Sequence, residues 1–179
     1  RAKEIVLEGV FRGADGGYLL SDRLFAGADT LATSYALSMA IRKIGQVDII
    51  IGGRQAIDGD TAQVGPQVAE KLGLDQVTYV EELLDINSKS VTVKRVITGG
   101  TEIVKAPLPC LLTVNGSAAP CRPRNARLLM GRKNYEVPVW TVADVGADPA
   151  KCGLSGSPTK VKKIENIVFQ AKENKRYGS

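Results

Sequence analysis

Histidine is absent from this 179-residue chain. With it go the commonest general base near neutral pH and the commonest metal-ligating side chain. Cysteine is nearly absent: Cys110, Cys121 and Cys152 are three, an odd number with no C-x-x-C spacing. That pattern suggests neither a disulfide framework nor a zinc site, and reduced thiols of a cytoplasmic protein are expected. Aromatic residues make up only 5% of the chain. No stretch approaches the roughly 18 apolar residues of a membrane span. Nothing resembles the G-x-x-x-x-G-K-[ST] phosphate loop, and "DGDTAQ" lacks the later positions of a calcium-binding loop.

What is present fits one α/β domain, or one domain with an extra lobe. Hydrophobic residues reach 44%, enough for an ordinary core, and the net charge is +5. Such a charge raises the question of nucleic acid. Acidic residues spread along the chain and the scarcity of aromatics argue against it. The sequence opens at Arg1 in mid-pattern, because Ala2 to Gly13 reads as the back half of a helix with Ile5, Val6, Val10 and Phe11 as its apolar positions. A piece of a longer polypeptide is therefore expected.

Along the chain, "GGYLLSD" predicts a short strand at Tyr18 to Leu20 after a glycine turn. Asp29 or Thr30 caps a long helix in which Leu37, Ala40, Ile41 and Ile44 recur at helical spacing, and Gly45 closes it. "VDIIIGG" is the continuous apolar run of a parallel strand buried on both faces. A second helix carries Val64, Val68 and Leu72 and stops at Gly73. This alternation predicts a Rossmann-like, doubly wound, mostly parallel sheet. From Gln76 the grammar changes to an antiparallel hairpin region: "QVTYV", "VTVKRV" with a slip before Val96, and "EIVKAPLPCLLTV". Residues 1–150 are read as the nucleotide-binding domain and 151–179 as an extended C-terminal arm that contacts a partner subunit.

The loop "GGRQAIDGDTAQVG" carries the clearest chemistry. It lies between the apolar strand and the second helix, where open α/β sheets bind nucleotides. Gly52 and Gly53 permit close backbone approach, and Gly59 would allow a positive φ between Asp58 and Asp60. The amides of residues 61 to 64 would then point at an anion, aided by the helix dipole. Asp60 with Gln63 also fits a capping box, although Pro66 argues for a helix start nearer Ala62. On the residues alone, two readings stand: turn and cap residues, or a nucleotide cradle.

"GGRQAIDGDTAQVGPQVAEKLG", followed by a hairpin region ending "PLPCLLTV", closely resembles the signature of electron transfer flavoprotein beta subunits. In that family the loop holds an adenine nucleotide: structural AMP in ordinary members, the ADP portion of a second FAD in electron-bifurcating ones. The resemblance implicates Gly53, Arg54, Gln55, Ala56, Ile57, Asp58, Gly59, Asp60, Thr61, Ala62, Gln63 and Val64. "SDRLFAGADTLAT" resembles the segment that bifurcating members place near the flavin ring, with Arg23, Asp29, Thr30 and Thr33 as polar contacts and Gly27 allowing close approach. The family's first strand and its lysine-containing loop are not in this sequence. The resemblance implies FAD, with AMP as the alternative, and an alpha subunit as partner. It also implies an acyl-CoA dehydrogenase-like protein, with NADH and ferredoxin or flavodoxin if bifurcation occurs. No catalytic acid or base and no metal are expected, since flavin carries the chemistry.

Downstream, Arg122, Arg124, Arg127, Arg132 and Lys133 surround Leu128, Leu129 and Met130. In the resembled family this region docks the dehydrogenase through an apolar anchor in a basic rim, an arrangement suited to a buried centre with a steering edge. Here an arginine stands about where the anchoring leucine is expected, and Leu128 or Leu129 is the candidate replacement. The alternative is a solvated basic helix with its leucines packed inward.

Overall fold

The computed structural model describes residues 1–159. It begins with helix α1 (Ala2–Arg12), the two-residue strand β1 (Leu19–Leu20), a 3₁₀ turn at Arg23–Phe25, helix α2 (Thr30–Ile44), strand β2 (Ile49–Gly53) and helix α3 (Val64–Leu72). Strands β3 (Asp75–Ile86), β4 (Ser90–Ile97), β5 (Gly100–Pro107) and β6 (Cys110–Val114) follow. Helix α4 (Ala126–Gly131), strand β7 (Val139–Trp140) and a 3₁₀ turn at Pro149–Lys151 complete it.

Glycine stops define the helix ends. Gly73 takes the left-handed conformation, and the Gly73 and Leu74 amides donate to Glu70 O and Ala69 O. Those two bonds are a Schellman closure, which satisfies carbonyls the helix leaves free. At its other end α3 departs from the sequence reading. It starts at Val64, and no side chain caps it. The Asp60–Gln63 capping box does not form, and Pro66 sits at the third helical position, where its missing N–H has no partner to lose.

The sheet runs β2-β6-β3-β4-β5, with β2, β6 and β3 parallel and β3, β4 and β5 an antiparallel meander. The expected mixed α/β architecture is present. "EIVKAPLPCLLTV" splits into two strands, and β6 inserts in parallel between β2 and β3. On one face Leu111 packs against Val68 and Ala69 of α3 with Ile41 of α2; on the other, Cys110 and Leu112 join Val77, Val80, Val91, Val93 and Ala106. Side chains of this kind, fully buried, each contribute roughly 1.5–3 kcal/mol.

Four local expectations need correction. Strand β2 pairs with β6 alone among the described residues, and Ile51 is 67% exposed, so β2 is an edge and not buried on both faces. The slip expected in β4 is absent: β4 pairs with β5 without interruption, and the register breaks fall on β3, at 80–82 and 83–85. Ile5 on α1 is solvent-exposed, whereas Val10 is buried. The first strand is Leu19–Leu20, without Tyr18.

A second small core lies behind α2. Ala40, Val142, Val145, Ala147 and Cys152 pack there with Leu20, Phe25, Tyr35, Met39 and Trp140. Cys152 and Ser157 are buried in this wrap, so residues 151–157 lie against the main body. Residues 160–179, the rest of the expected arm, lie outside the described residues. Among the described residues no helix is long and apolar enough to cross a membrane.

Candidate functional site

Two loops, each entering a helix, meet at one cleft of about 920 Å³. One is the loop after β2, which with its flanks contributes residues 52–56 and 58–65; the other is the N-terminal end of α2, which contributes Ala28, Asp29, Thr30 and Thr33. The floor is apolar, built from Leu37, Ile41, Ile50, Ile51, Val68 and Leu111. An apolar floor with a polar rim is the usual make-up of a small-molecule site, and the volume lies near the top of the roughly 300–1,000 Å³ range of such sites.

The two helix N-termini differ electrically. At α2, Asp29 Oδ1 accepts from the Leu31 and Ala32 amides at 3.0 Å each, and Oδ2 accepts from Thr159 N at 3.1 Å. Burial opposes ionisation of Asp29, but the amides of Ala32, Thr159 and Leu31 outweigh it, and the carboxyl stays below the ordinary aspartate range. That end already has its anion. At α3 no side chain caps the helix, and among the described residues nothing accepts from the amides of Thr61, Ala62 or Gln63. Free amides at the positive end of a helix dipole bind phosphate. Of the two helix ends, α3 is the one with amides still open to an anion.

Loop geometry supports that assignment in an unexpected way. Positive φ occurs at Asp60 (φ 50) and Ala62 (φ 53), not at Gly59. An alanine held there costs on the order of 1 kcal/mol, a strain found mostly at ligand-binding and switch segments. A side chain added at Gly52, Gly53 or Gly59 would meet no protein atom within 4 Å. Their bareness is thus unexplained by packing and leaves the backbone open to a ligand. Gly65 is different: a Cβ there would stand 2.6 Å from Thr113 Cγ2, so it lets α3 close onto β6.

The cleft gathers most of the candidates read from sequence: Asp29, Thr30, Thr33, Gly53, Arg54, Gln55, Ala56, Asp58, Gly59, Asp60, Thr61, Ala62, Gln63 and Val64. Three are placed elsewhere. Arg23 is exposed on its 3₁₀ turn and does not line the cleft. Gly27 (φ 70) makes room for the side chain of Leu154, whose Cγ would lie 2.7 Å from an added Cβ. Ile57 is 98% exposed and faces the far side of the loop, beside Asn115 and Gly116. Asp58 and Asp60 are both exposed and accept no side-chain hydrogen bond among the described residues, so neither carboxylate braces the loop.

Sequence reasoning missed Ser34 and Gln67. They stand one helical turn beyond Thr30 and Gln63, and together the four form a polar seam between α2 and α3. The signal was the pair of i, i+4 polar spacings on facing helices.

The arginine-rich region forms a separate surface. Arg124 pairs with Glu8 of α1 at 2.6 Å, and Arg12 reaches the same carboxylate at 2.7 Å. The Arg124 guanidinium, with Arg12 beside it, holds Glu8 below the usual carboxylate range. Arg122 lies over Gly13, and Arg132 donates to Ala14 O and sits 3.6 Å from Asp15. Arg124 and Arg132 thus tie the α4 segment to α1 and the turn that follows it. Arg127 and Lys133 are exposed and have no ion-pair partner among the described residues. Leu128 is half-buried, whereas Leu129 and above all Met130 (74%) are exposed.

The electron transfer flavoprotein domain matches residues 1–145. The electron transfer flavoprotein subunit beta of Clostridium acetobutylicum is 45% identical over 163 residues, covering 91% of this chain and 62% of that protein. Protein FixA of Azorhizobium caulinodans is 46% identical over 159 residues, 85% and 57% of the two chains. The caffeyl-CoA reductase-Etf complex subunit CarD of Acetobacterium woodii is 44% identical over 161 residues, 90% and 61%. The chain therefore spans about three-fifths of the length of these relatives.

Proposed function

The chain belongs to the electron transfer flavoprotein family, and from that premise we propose that it is the beta subunit of a heterodimeric electron transfer flavoprotein which holds FAD in the cleft between α2 and α3. The observation that carries this reading is the meeting of the uncapped α3 N-terminus with the α2 end across a single, apolar-floored cleft. The amides of Thr61, Ala62 and Gln63 hold the phosphates, and Gly53 and Gly59 let the backbone approach them. Thr30 and Thr33, above the apolar floor of Leu37, Ile41 and Ile51, would hold the flavin end of the ligand. Arg54, at the loop's entry, would supply a counter-charge to the phosphates.

When bound, FAD supplies the redox chemistry: the two electrons of a hydride from NADH, divided between a low-potential acceptor such as ferredoxin or flavodoxin and, by way of the alpha subunit's FAD, an acyl-CoA dehydrogenase-like partner. The chain's own residues bind, orient and exclude water. Relatives that carry the names FixA and CarD, the latter a subunit of a caffeyl-CoA reductase-Etf complex, favour the bifurcating branch. Arg127 and Lys133 around Met130 and Leu129 form the surface that meets the dehydrogenase.

The second reading is an ordinary beta subunit holding structural AMP, because the α3 end of the cleft serves a lone phosphate equally well. Its large volume favours the dinucleotide. Nucleotide released by denaturing the purified heterodimer decides: two FAD per heterodimer support bifurcation, and one FAD with one AMP overturns it.

A further inference from the structure

Four polar side chains lead from the buried α2–α3 contact to the lip of the cleft. Ser34 is fully buried, and its hydroxyl lies 2.9 Å from Leu31 O and 3.0 Å from Gln67 Oε1. Gln67 Nε2 reaches Thr30 Oγ1 at 3.5 Å, and the Thr30 hydroxyl donates to Gln63 Oε1 at 3.1 Å. Ser34 and Thr30 stand on α2; Gln63 and Gln67 stand at the start of α3 and one turn into it.

This seam has a direction. A glutamine amide has one accepting and one donating end, and a threonine hydroxyl has one proton to give. Ser34 likewise has one proton; given to Gln67 Oε1 instead of Leu31 O, it sets the Gln67 oxygen toward Ser34 and the NH2 group toward Thr30. Thr30 then accepts from Gln67 and gives its proton to Gln63 Oε1. That leaves the Gln63 NH2 group without an acceptor among the described residues, on an exposed side chain that lines the cleft. Without Gln67, Thr30 could equally accept from Gln63, and the amide would turn its oxygen outward.

We propose that Gln67 is a positioning residue: acting from Ser34 through Thr30, it fixes the Gln63 amide with its NH2 group toward the cleft, and so selects a ligand that presents an acceptor oxygen there. The inference rests on the nucleotide reading of the cleft. A group that must be oriented to bind an anion has most to lose from a reversed dipole, since hydrogen bonds to charged groups are about twice as strong as neutral ones.

The test is a double-mutant cycle on the intact heterodimer stripped of nucleotide, with ADP and FAD as probes in calorimetry. Gln63→Leu should weaken ADP binding by about tenfold, the scale of one charge-assisted hydrogen bond, and Gln67→Leu by about twofold, because two equal orientations leave half of the molecules competent. The double variant should be no weaker than Gln63→Leu alone, because Gln67 acts only through Gln63. Thermal unfolding without nucleotide checks that the variants fold, and Ser34→Ala replaces Gln67→Leu if the latter does not. Losses that multiply, or affinity unchanged in either single variant, overturn the relay while leaving the nucleotide site standing. Wild-type heterodimer that binds no ADP overturns the nucleotide reading, and this inference with it.

Discussion

Gly65 of α3 approaches Thr113 of β6 so closely that a methyl group on its α-carbon would stand 2.6 Å from Thr113 Cγ2. The same threonine accepts the Tyr79 amide at 3.1 Å, where β3 breaks register and Tyr79 takes φ 59. One side chain thus sets the distance from helix to sheet and stabilises an irregular stretch of the neighbouring strand. Gly65→Ala should force α3 outward and destabilise the chain by about 1–3 kcal/mol, the usual cost of overpacking. Because the outward shift moves the amides of residues 61–63, nucleotide affinity should fall further than stability alone explains. Denaturant unfolding and ADP titration of the variant check both parts, and Gly65→Ala with Thr113→Ser should recover part of each loss.

The strained loop gives a second expectation. Ala62 has φ 53, a conformation that a β-branched residue resists strongly. Ala62→Val should lower nucleotide occupancy severalfold with little change in helix content, whereas Ala62→Gly should raise stability by up to about 1 kcal/mol. Thr61→Val should bind nucleotide less well, through loss of its hydroxyl. Asp58→Ala should matter less than the loop's acidity suggests, because Asp58 is exposed and braces nothing within the described residues. Equal losses for Asp58→Ala and Thr61→Val, by released-nucleotide assay, would return Asp58 to a direct ligand role.

The third expectation concerns acid. Asp22 accepts the amides of Leu24 and Val142, and Asp29 accepts that of Thr159, so both tie the segment after β7 onto α2 and its preceding turn. Both carboxyls titrate below the ordinary aspartate value of 3.8, Asp22 through the Leu24 and Val142 amides and Asp29 through the Ala32 and Thr159 amides working against burial. A depressed folded value means stabilisation fully present above about pH 4 and lost as pH falls through the folded values. Trp140, the single tryptophan, lies stacked on Tyr18 in that same core. Its fluorescence should therefore change as pH drops below 4, and Asp22→Asn should already show at pH 7 part of what acid does to the native chain.

Much of this fold was legible where the signal is local. The apolar spacing through Leu37 and Ile41 and the stops at Gly45 and Gly73 announce α2 and α3 within single turns of chain. The start of α3 was not legible, because Gln63 makes no cap bond and the acids nearby look like caps that the helix does not use. Long-range facts left no mark: β6 inserting beside β2, the breaks in β3 that depend on Thr113, and the wrap of Cys152 onto α2. The loop glycines and the Thr30 segment, which their resemblance to a family singled out, line the same cleft. That Gly27 serves Leu154, and that positive φ falls at Asp60 and Ala62, is decided by neighbours far along the chain or by the loop's closure.

The basic surface separates two kinds of arginine that the sequence presents alike. Arg124 pairs with Glu8, and Arg132 binds Ala14 O beside Asp15, so both hold α4 against α1. Arg127 and Lys133 project freely beside Met130. Charge reversal should therefore act differently in the two groups. Arg127→Glu with Lys133→Glu should slow electron transfer to the proposed dehydrogenase-like partner severalfold to about tenfold at low salt, with stability unchanged. The rate should also lose its salt dependence, because steering by rim charges is screened beyond about 10 Å at 0.1 M. Met130→Ala should weaken the complex through its off-rate, as expected of an apolar anchor. Arg124→Glu should instead set like charges against each other at Glu8 and lower the melting temperature, with any loss of transfer following from the loosened α4. Stopped-flow transfer rates across an ionic-strength series, read beside thermal unfolding, separate these outcomes; an unchanged rate in the Arg127→Glu, Lys133→Glu variant would make that pair an ordinary solvated edge.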